Sequence, residues 1–192
     1  MVDPIEVPVP GLVVLIGAAG AGKTTLAARL FEPAEVLSSD ALREAVGGDA
    51  ANQRATRAAF GILHREAGRR LAARRLVVVD ATNIETGARA TLLRLARAAR
   101  VPAVAIVLVA PAADVHARNS GRTGRIVPPD VVGRHLGRLG RLGGDPATVA
   151  ATLLAEGFVA AHVLPTTADL ERVRVVRRPT ATARESGPVS PP

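Results

Sequence analysis

The residues Gly17-Ala18-Ala19-Gly20-Ala21-Gly22-Lys23-Thr24 satisfy the pattern G-x-x-x-x-G-K-[ST] at every fixed position. Glycines at these places let a backbone turn tightly and come close to a ligand. Successive N–H groups, joined by the open N–H groups of a following helix, then converge on one spot. Such a spot suits a triphosphate: Lys23 reaches its β- and γ-phosphates, and the Thr24 hydroxyl holds Mg2+. The binding set runs from Gly17 through Thr25. The competing interpretation is a bare glycine turn between a strand and a helix. Lys23 adds a compositional hint, because among 25 Lys and Arg residues it is the single lysine. It stands where a compact ammonium suits phosphate oxygens.

Four further places could carry chemistry. Asp40 could accept a proton from an attacking hydroxyl, or serve only as a helix cap. Arg43, one turn on and on the same helix side, could hold a phosphate of the acceptor or simply face solvent. Asp80 ends an apolar run and could hold Mg2+ directly or through water, or bond to neighbouring loops; Thr82 and Asn83 would shape that turn. Arg118, Arg122 and Arg125 fall on a helix end and a basic, glycine-bearing loop. Closed over a triphosphate, they would neutralise charge on the transferred group; otherwise they form a solvated basic loop.

The elements that must position these residues alternate in type. Gly11–Ile16 reads as a strand before the glycine loop, and a helix follows to about Phe31. Residues 35–39 read as a short strand, with Ser38-Ser39-Asp40 opening a helix. Gly47-Gly48-Asp49 breaks the chain, and a long helix covers about Ala50 to Arg74. Strand 76–79 ends at Asp80, and a helix follows over 86–100. The pattern continues with strand 104–109, helix 112–119, a helix from about Pro128 to Leu142, helix 146–156, strand 159–164 and an edge strand over 170–176. Residues 1–10 read as a proline-punctuated lead-in. Residues 177–192 read as a disordered tail behind a domain spanning 1–176. Strands alternating with helices imply an α/β fold with a parallel sheet of about five strands, covered on both faces. Ligands gather at the C-terminal strand ends of such sheets, where Gly17, Asp40 and Asp80 fall.

Composition narrows the classes. A chain of 192 residues, 48% hydrophobic, can bury the core of one domain. With three Phe and no Tyr or Trp, that core is aliphatic, and aromatic base-stacking platforms are disfavoured. The absence of cysteine excludes disulfides, thiol nucleophiles and Cys-ligated zinc. His64, His116, His135 and His162 lack ligand spacing and read as surface or cap residues. A net charge of +8 favours polyanionic partners such as nucleotides or nucleic acid. The first residues lack the pattern of a signal peptide, and the longest apolar run, 101–113, contains prolines and is too short for a bilayer. A cytoplasmic protein without membrane contact is expected.

The glycine motif, Ser38-Ser39-Asp40-Ala41-Leu42-Arg43, Val78-Val79-Asp80-Ala81-Thr82-Asn83, Arg118-Asn119-x2-Arg122 and Glu156-Gly157-Phe158 together resemble the polynucleotide 5′-kinase family. They are most similar to the kinase module of bacterial RNA end-healing and sealing enzymes. The resemblance covers roughly residues 9–165 and implies a P-loop kinase fold with an Arg-bearing lid, using ATP and Mg2+. It implies that Asp40 activates a 5′-hydroxyl, that Arg43 binds a phosphate of the acceptor strand, and that Arg118 and Arg122 contact the ATP phosphates. The chain is too short to hold the phosphatase and ligase-like modules joined to that kinase, so a free-standing kinase is expected. The acceptor expected is the 5′-OH of RNA or DNA. The same motif layout occurs in relatives that phosphorylate antibiotics, sugars or nucleotide sugars, and a regulatory ATP-binding protein is the remaining alternative.

Overall fold

A computed structural model describes residues 3–46, 53–121 and 126–180. In chain order the elements are β1 (Ile5–Val9), β2 (Gly11–Ile16), α1 (Lys23–Leu30), β3 (Val36–Ser38), α2 (Ser39–Ala45), α3 (Gln53–Ala72), β4 (Leu76–Asp80) and α4 (Thr86–Ala98). There follow β5 (Ala103–Leu108), α5 (Ala112–Ser120), α6 (Pro129–Gly140), α7 (Pro146–Glu156), β6 (Ala160–Leu164), α8 (Thr167–Arg172) and β7 (Val175–Pro179). Five strands form one parallel sheet in the order β3-β4-β2-β5-β6. The strand bearing the glycine loop therefore lies at the centre, between β4 and β5.

The sheet divides its side chains between two apolar layers because successive strand residues face opposite ways. Leu12, Val14 and Ile16 join Val77, Val79, Leu63, Leu71, Leu92 and Leu153 on one face. Val13 and Leu15 join Val78, Ile106, Leu26, Ile5 and Val7 on the other. Strands buried on both faces read as continuous apolar runs, as β2, β4 and β5 do. Each fully buried Val, Leu or Ile side chain contributes about 1.5–3 kcal/mol. A smaller cluster of Ala18, Ala19, Ala110, Val115, Val127 and Val132 packs the glycine loop against α5 and α6.

The chain ends depart from expectation. The lead-in contains a strand: β1 pairs in parallel with β7 as a separate two-stranded sheet. Ile5 and Val7 are buried beneath the main sheet. Pro8 is tolerated because β1 pairs along one side only. Residues 170–176 are not one edge strand; α8 ends at Arg172, and the strand starts at Val175. The disorder expected from Arg177 is contradicted at 177–179, which belong to β7. There Arg177 pairs with Glu35 at 2.8 Å and Arg178 with Glu6 at 2.7 Å. The rest of that tail, 181–192, and the Gly47-Gly48-Asp49 break lie outside the described residues. No helix among the described residues is long and apolar enough to cross a membrane.

Candidate active site

The glycine loop leaves β2 after Ile16 and is tied at once to the turn after β4. The Gly17 N–H donates to the Thr82 carbonyl at 3.0 Å. Asn83, at φ 48°, turns its side-chain amide back to donate to the Leu15 carbonyl at 2.8 Å. Gly20 has φ 87°, and a Cβ there would lie 2.4 Å from the Val115 carbonyl of α5. Only glycine lets the loop pass this close to α5. Gly22, at φ 97°, caps α1 with no side-chain hydrogen bond, and no acid stands in the first turn. The open N–H groups of α1 are thus left for an anion. Ala18, Ala19 and Ala21 are buried in apolar clusters, so these three can serve a ligand only through their backbone.

Lys23 curls over the loop and donates to the Gly17 and Ala18 carbonyls at 3.0 and 2.8 Å. The Thr24 hydroxyl donates to Asp80 Oδ2 at 2.8 Å. Asp80 is only 4% exposed, at the end of β4. A hydroxyl and a carboxylate held together beside a phosphate cradle form a hard oxygen donor set, and this fits Mg2+. No cluster of three or more His, Asp or Glu among the described residues could hold a metal. Mg2+ here would therefore rest on these two side chains and on the oxygens of its nucleotide.

Asp40 does not cap α2. The cap is Ser38, whose hydroxyl accepts from the Ala41 N–H at 3.4 Å. Asp40 sits in the first turn instead, 59% exposed, and Arg43 Nη1 donates to its Oδ1 at 2.7 Å. The Arg43 side chain is 12% exposed, and its Nε is buried without a partner. An unpaired buried donor costs about 1–3 kcal/mol unless something else satisfies it.

Asp40, Arg43, Lys23, Thr24 and Asp80 line one cleft of about 210 Å3. Its other wall is formed by Phe60 of α3 with Val127, Val131 and His135 at and within α6. Sequence reasoning missed this wall. His135, read as a surface or cap residue, is half-buried here, with Nδ1 enclosed and unpartnered. Burial holds its proton affinity below the usual histidine range; Lys23, Arg138 and Arg134 lower it further, and Glu85 opposes them. The available signal was the four-residue spacing of Val131 and His135, which places them on one helical side.

A second cavity, of about 320 Å3, lies on the other side of α1. Gly22, Thr25, Leu26 and Arg29 line it together with Arg118 and the α8 residues Thr167 and Leu170. Arg118 Nη2 donates to the Thr167 hydroxyl at 2.7 Å, and Thr167 in turn donates to Asp114 Oδ2 at 3.3 Å. Neighbouring threonines thus face different spaces, Thr24 the cleft and Thr25 the second cavity.

The helix bearing Arg118 stops at Ser120, with Gly121 as its cap. Arg122 and Arg125, the other expected lid arginines, lie outside the described residues. The chain on either side of them is clipped together by Asn119, whose amide donates to the Val127 carbonyl at 2.7 Å and accepts from its N–H at 3.1 Å. Behind the Asp80 turn lies an ion pair whose guanidinium is fully buried and whose carboxylate is partly exposed. Arg89, 0% exposed, meets Glu156 of α7 at 2.5 Å and donates to the Asn83 and Ile84 carbonyls.

A glycine loop and uncapped helix at the centre of a five-stranded parallel sheet, with a carboxylate on the adjacent strand, define a P-loop α/β fold. A family model described as an AAA domain matches residues 12–141, and the chain belongs to that family. No curated protein sequence matches it significantly. Among solved structures, it is similar to a gluconokinase from Sinorhizobium meliloti 1021 at 20% identity, covering 86% of this chain and 94% of that one, TM-score 0.51. Chaetomium thermophilum Kti12, solved with ADP-AlF3, matches at 20% identity over 84% of this chain and 94% of that one, TM-score 0.58. A chain of the Pnkp1/Rnl/Hen1 RNA repair complex matches at 20% identity over 70% of this chain and 45% of that one, TM-score 0.57. At these identities the likeness is one of fold, and the expected P-loop kinase fold is the one observed. Proteins named for a sugar acid and for RNA repair share this fold.

Proposed function

We propose that this chain is an ATP- and Mg2+-dependent kinase that transfers the γ-phosphoryl group to a hydroxyl, with the 5′-OH of an RNA or DNA end as its acceptor. The observation that carries the reading is the Asp40–Arg43 pair at 2.7 Å, lining the same cleft as Lys23, Thr24 and Asp80. A nucleotide switch has no need of a carboxylate there; a transferase needs a base for the nucleophile.

In this reading ATP lies across the glycine loop. Its nucleoside extends toward the second cavity, between Leu26, Leu170 and Arg118, and its terminal phosphate enters the cleft. The loop N–H groups and Lys23 hold the β- and γ-phosphate oxygens. Thr24 and Asp80 hold Mg2+, which supplies charge neutralisation on the phosphates when bound. Asp40 orients the acceptor hydroxyl and takes its proton as the new O–P bond forms. The bond between the γ-phosphorus and the bridging oxygen breaks, and ADP leaves. Arg43 holds an anionic group of the acceptor through the nitrogens that Asp40 does not use. Arg118, with Arg122 and Arg125 in the basic loop, answers charge on the phosphates.

A small-molecule acceptor is the second reading. The compact cleft, about 210 Å3 and walled by Phe60 and Val131, favours it. Transfer of labelled γ-phosphate to a short 5′-OH oligonucleotide, and in parallel to sugars and sugar acids, separates the two. Asp40→Asn should lower transfer by about 10²–10⁴-fold while ATP affinity stays within about twofold. Unchanged turnover in that variant would sink the base assignment. Label on sugars alone would move the acceptor to the second reading.

A further inference from the structure

The turn after β4 is gripped by a side chain that does not line the cleft. Arg89 of α4 is 0% exposed, and every N–H of its guanidinium is used. Nε and Nη2 donate to the two carboxylate oxygens of Glu156 at 2.7 and 2.5 Å, and Nη2 also donates to the Thr86 hydroxyl at 3.2 Å. Nη1 donates to the Asn83 carbonyl at 3.0 Å and to the Ile84 carbonyl. These five bonds match the five donors of an arginine fork, which pins the group in one orientation.

Helix stability does not account for Glu156. It ends α7, whose last turn carries no basic residue, and a carboxylate there opposes the helix dipole. Apolar side chains, moreover, often replace a buried pair without loss of stability. What the pair holds is the chain between Asp80 and α4. Strands β2 and β4 pair in register as far as Leu15 with Asp80. Past that point, the Asn83 amide donates to the Leu15 carbonyl at 2.8 Å and the Gly17 N–H to the Thr82 carbonyl at 3.0 Å. Three successive carbonyls of the turn are thus fixed, Thr82 by the glycine loop, Asn83 and Ile84 by Arg89.

We propose that Arg89 is a positioning residue for the metal site: braced by Glu156, it fixes the turn that sets the Asp80 carboxylate against Thr24 and the glycine loop. The inference rests on the reading of Asp80 and Thr24 as the holders of Mg2+. Arg89 touches neither metal nor nucleotide; its effect reaches Asp80 through the backbone of residues 81–83. A loosened turn lets the carboxylate swing away from Thr24, so the cation loses affinity even where the fold is kept.

Arg89→Met and Glu156→Leu in one chain replace the pair by apolar side chains and leave no unpaired charge, so folding should survive, as urea unfolding would record. Calorimetry on the full chain would measure β,γ-imido-ATP affinity with saturating Mg2+ and with EDTA. The ratio of the two is the gain that the metal gives. In the double variant this gain should fall about tenfold, towards that of Asp80→Asn, as when an outer-shell partner of a metal ligand is lost. Affinity in EDTA should stay at the wild-type value, because the glycine loop is intact. If the double variant fails to fold, Arg89→Lys carries the same expectation, since it keeps the ion pair but has three donors for five acceptors. A wild-type gain in a folded variant overturns the inference. If Asp80→Asn alone loses the gain, the Mg2+ reading of Asp80 stands without it. If Asp80→Asn keeps the gain, or Mg2+ gives none in wild type, both fall.

Discussion

The Thr24 hydroxyl donates to the Asp80 carboxylate at 2.8 Å, joining two residues 56 positions apart in the chain. The bond links the first turn of the helix after the glycine loop to the end of the neighbouring strand. It fixes the carboxylate beside the glycine loop, where in the proposed reading Asp80 and Thr24 would together hold Mg2+.

Asp80→Asn keeps a hydrogen-bond partner for Thr24 but removes the charge. It should weaken Mg2+ binding in the nucleotide complex by about 10–100-fold, read as a rise in the Mg2+ concentration giving half-maximal transfer. Saturating Mg2+ should recover much of the rate. A variant with wild-type Mg2+ dependence would reduce Asp80 to a loop anchor.

Arg43→Ala should separate the two substrates kinetically. It removes the charged partner of Asp40 and, in the proposed reading, a cation that holds the acceptor, a loss of about 1.5–3 kcal/mol, or roughly ten- to a hundredfold in kcat/KM for the acceptor. Affinity for ATP, measured by calorimetry, should stay near wild type. Loss of both in equal measure would mean that the substitution disturbs the whole cleft.

Asn119→Ala should act on catalysis through the chain that Asn119 clips. Two buried hydrogen bonds to Val127 are lost, and the segment bearing Arg122 and Arg125 loses its anchor. We expect kcat to fall by up to about 10²–10³-fold, the loss of one charge-stabilising contact, with ATP affinity little changed. A lowered melting temperature with intact kcat would make the residue purely structural.

Arg89→Met leaves the Glu156 carboxylate without its guanidinium. Breaking a buried ion pair on one side costs about 3–5 kcal/mol, to be read from urea unfolding. A cost below about 1 kcal/mol, the range of exposed pairs, would mean that water reaches the pair.

Local signals made the centre of the molecule legible in the sequence. The glycine loop carries its own pattern, and Asp80 announces itself by ending an apolar run. The Ser38-Ser39-Asp40 opening predicts a helix start, although only the structure gives the cap to Ser38 and pairs Asp40 with Arg43. What stayed hidden depends on distant partners. Phe60 and His135 sit on helices whose cleft-facing side is set by packing, and α6 carries no motif. β1 was obscured by its prolines and by a pairing partner some 170 residues away in register, Ile5 with Val175. Arg177 and Arg178 look like tail composition until Glu35 and Glu6 are seen beside them.

The pairing of β1 with β7 has a practical consequence for anyone trimming this chain. A protein cut after Arg172 would keep every motif residue and still carry an unzipped β1. Ile5 and Val7 would lose the strand that covers their edge, and an open edge of this kind invites another copy to add itself. Shortening at either terminus therefore trades solubility for size.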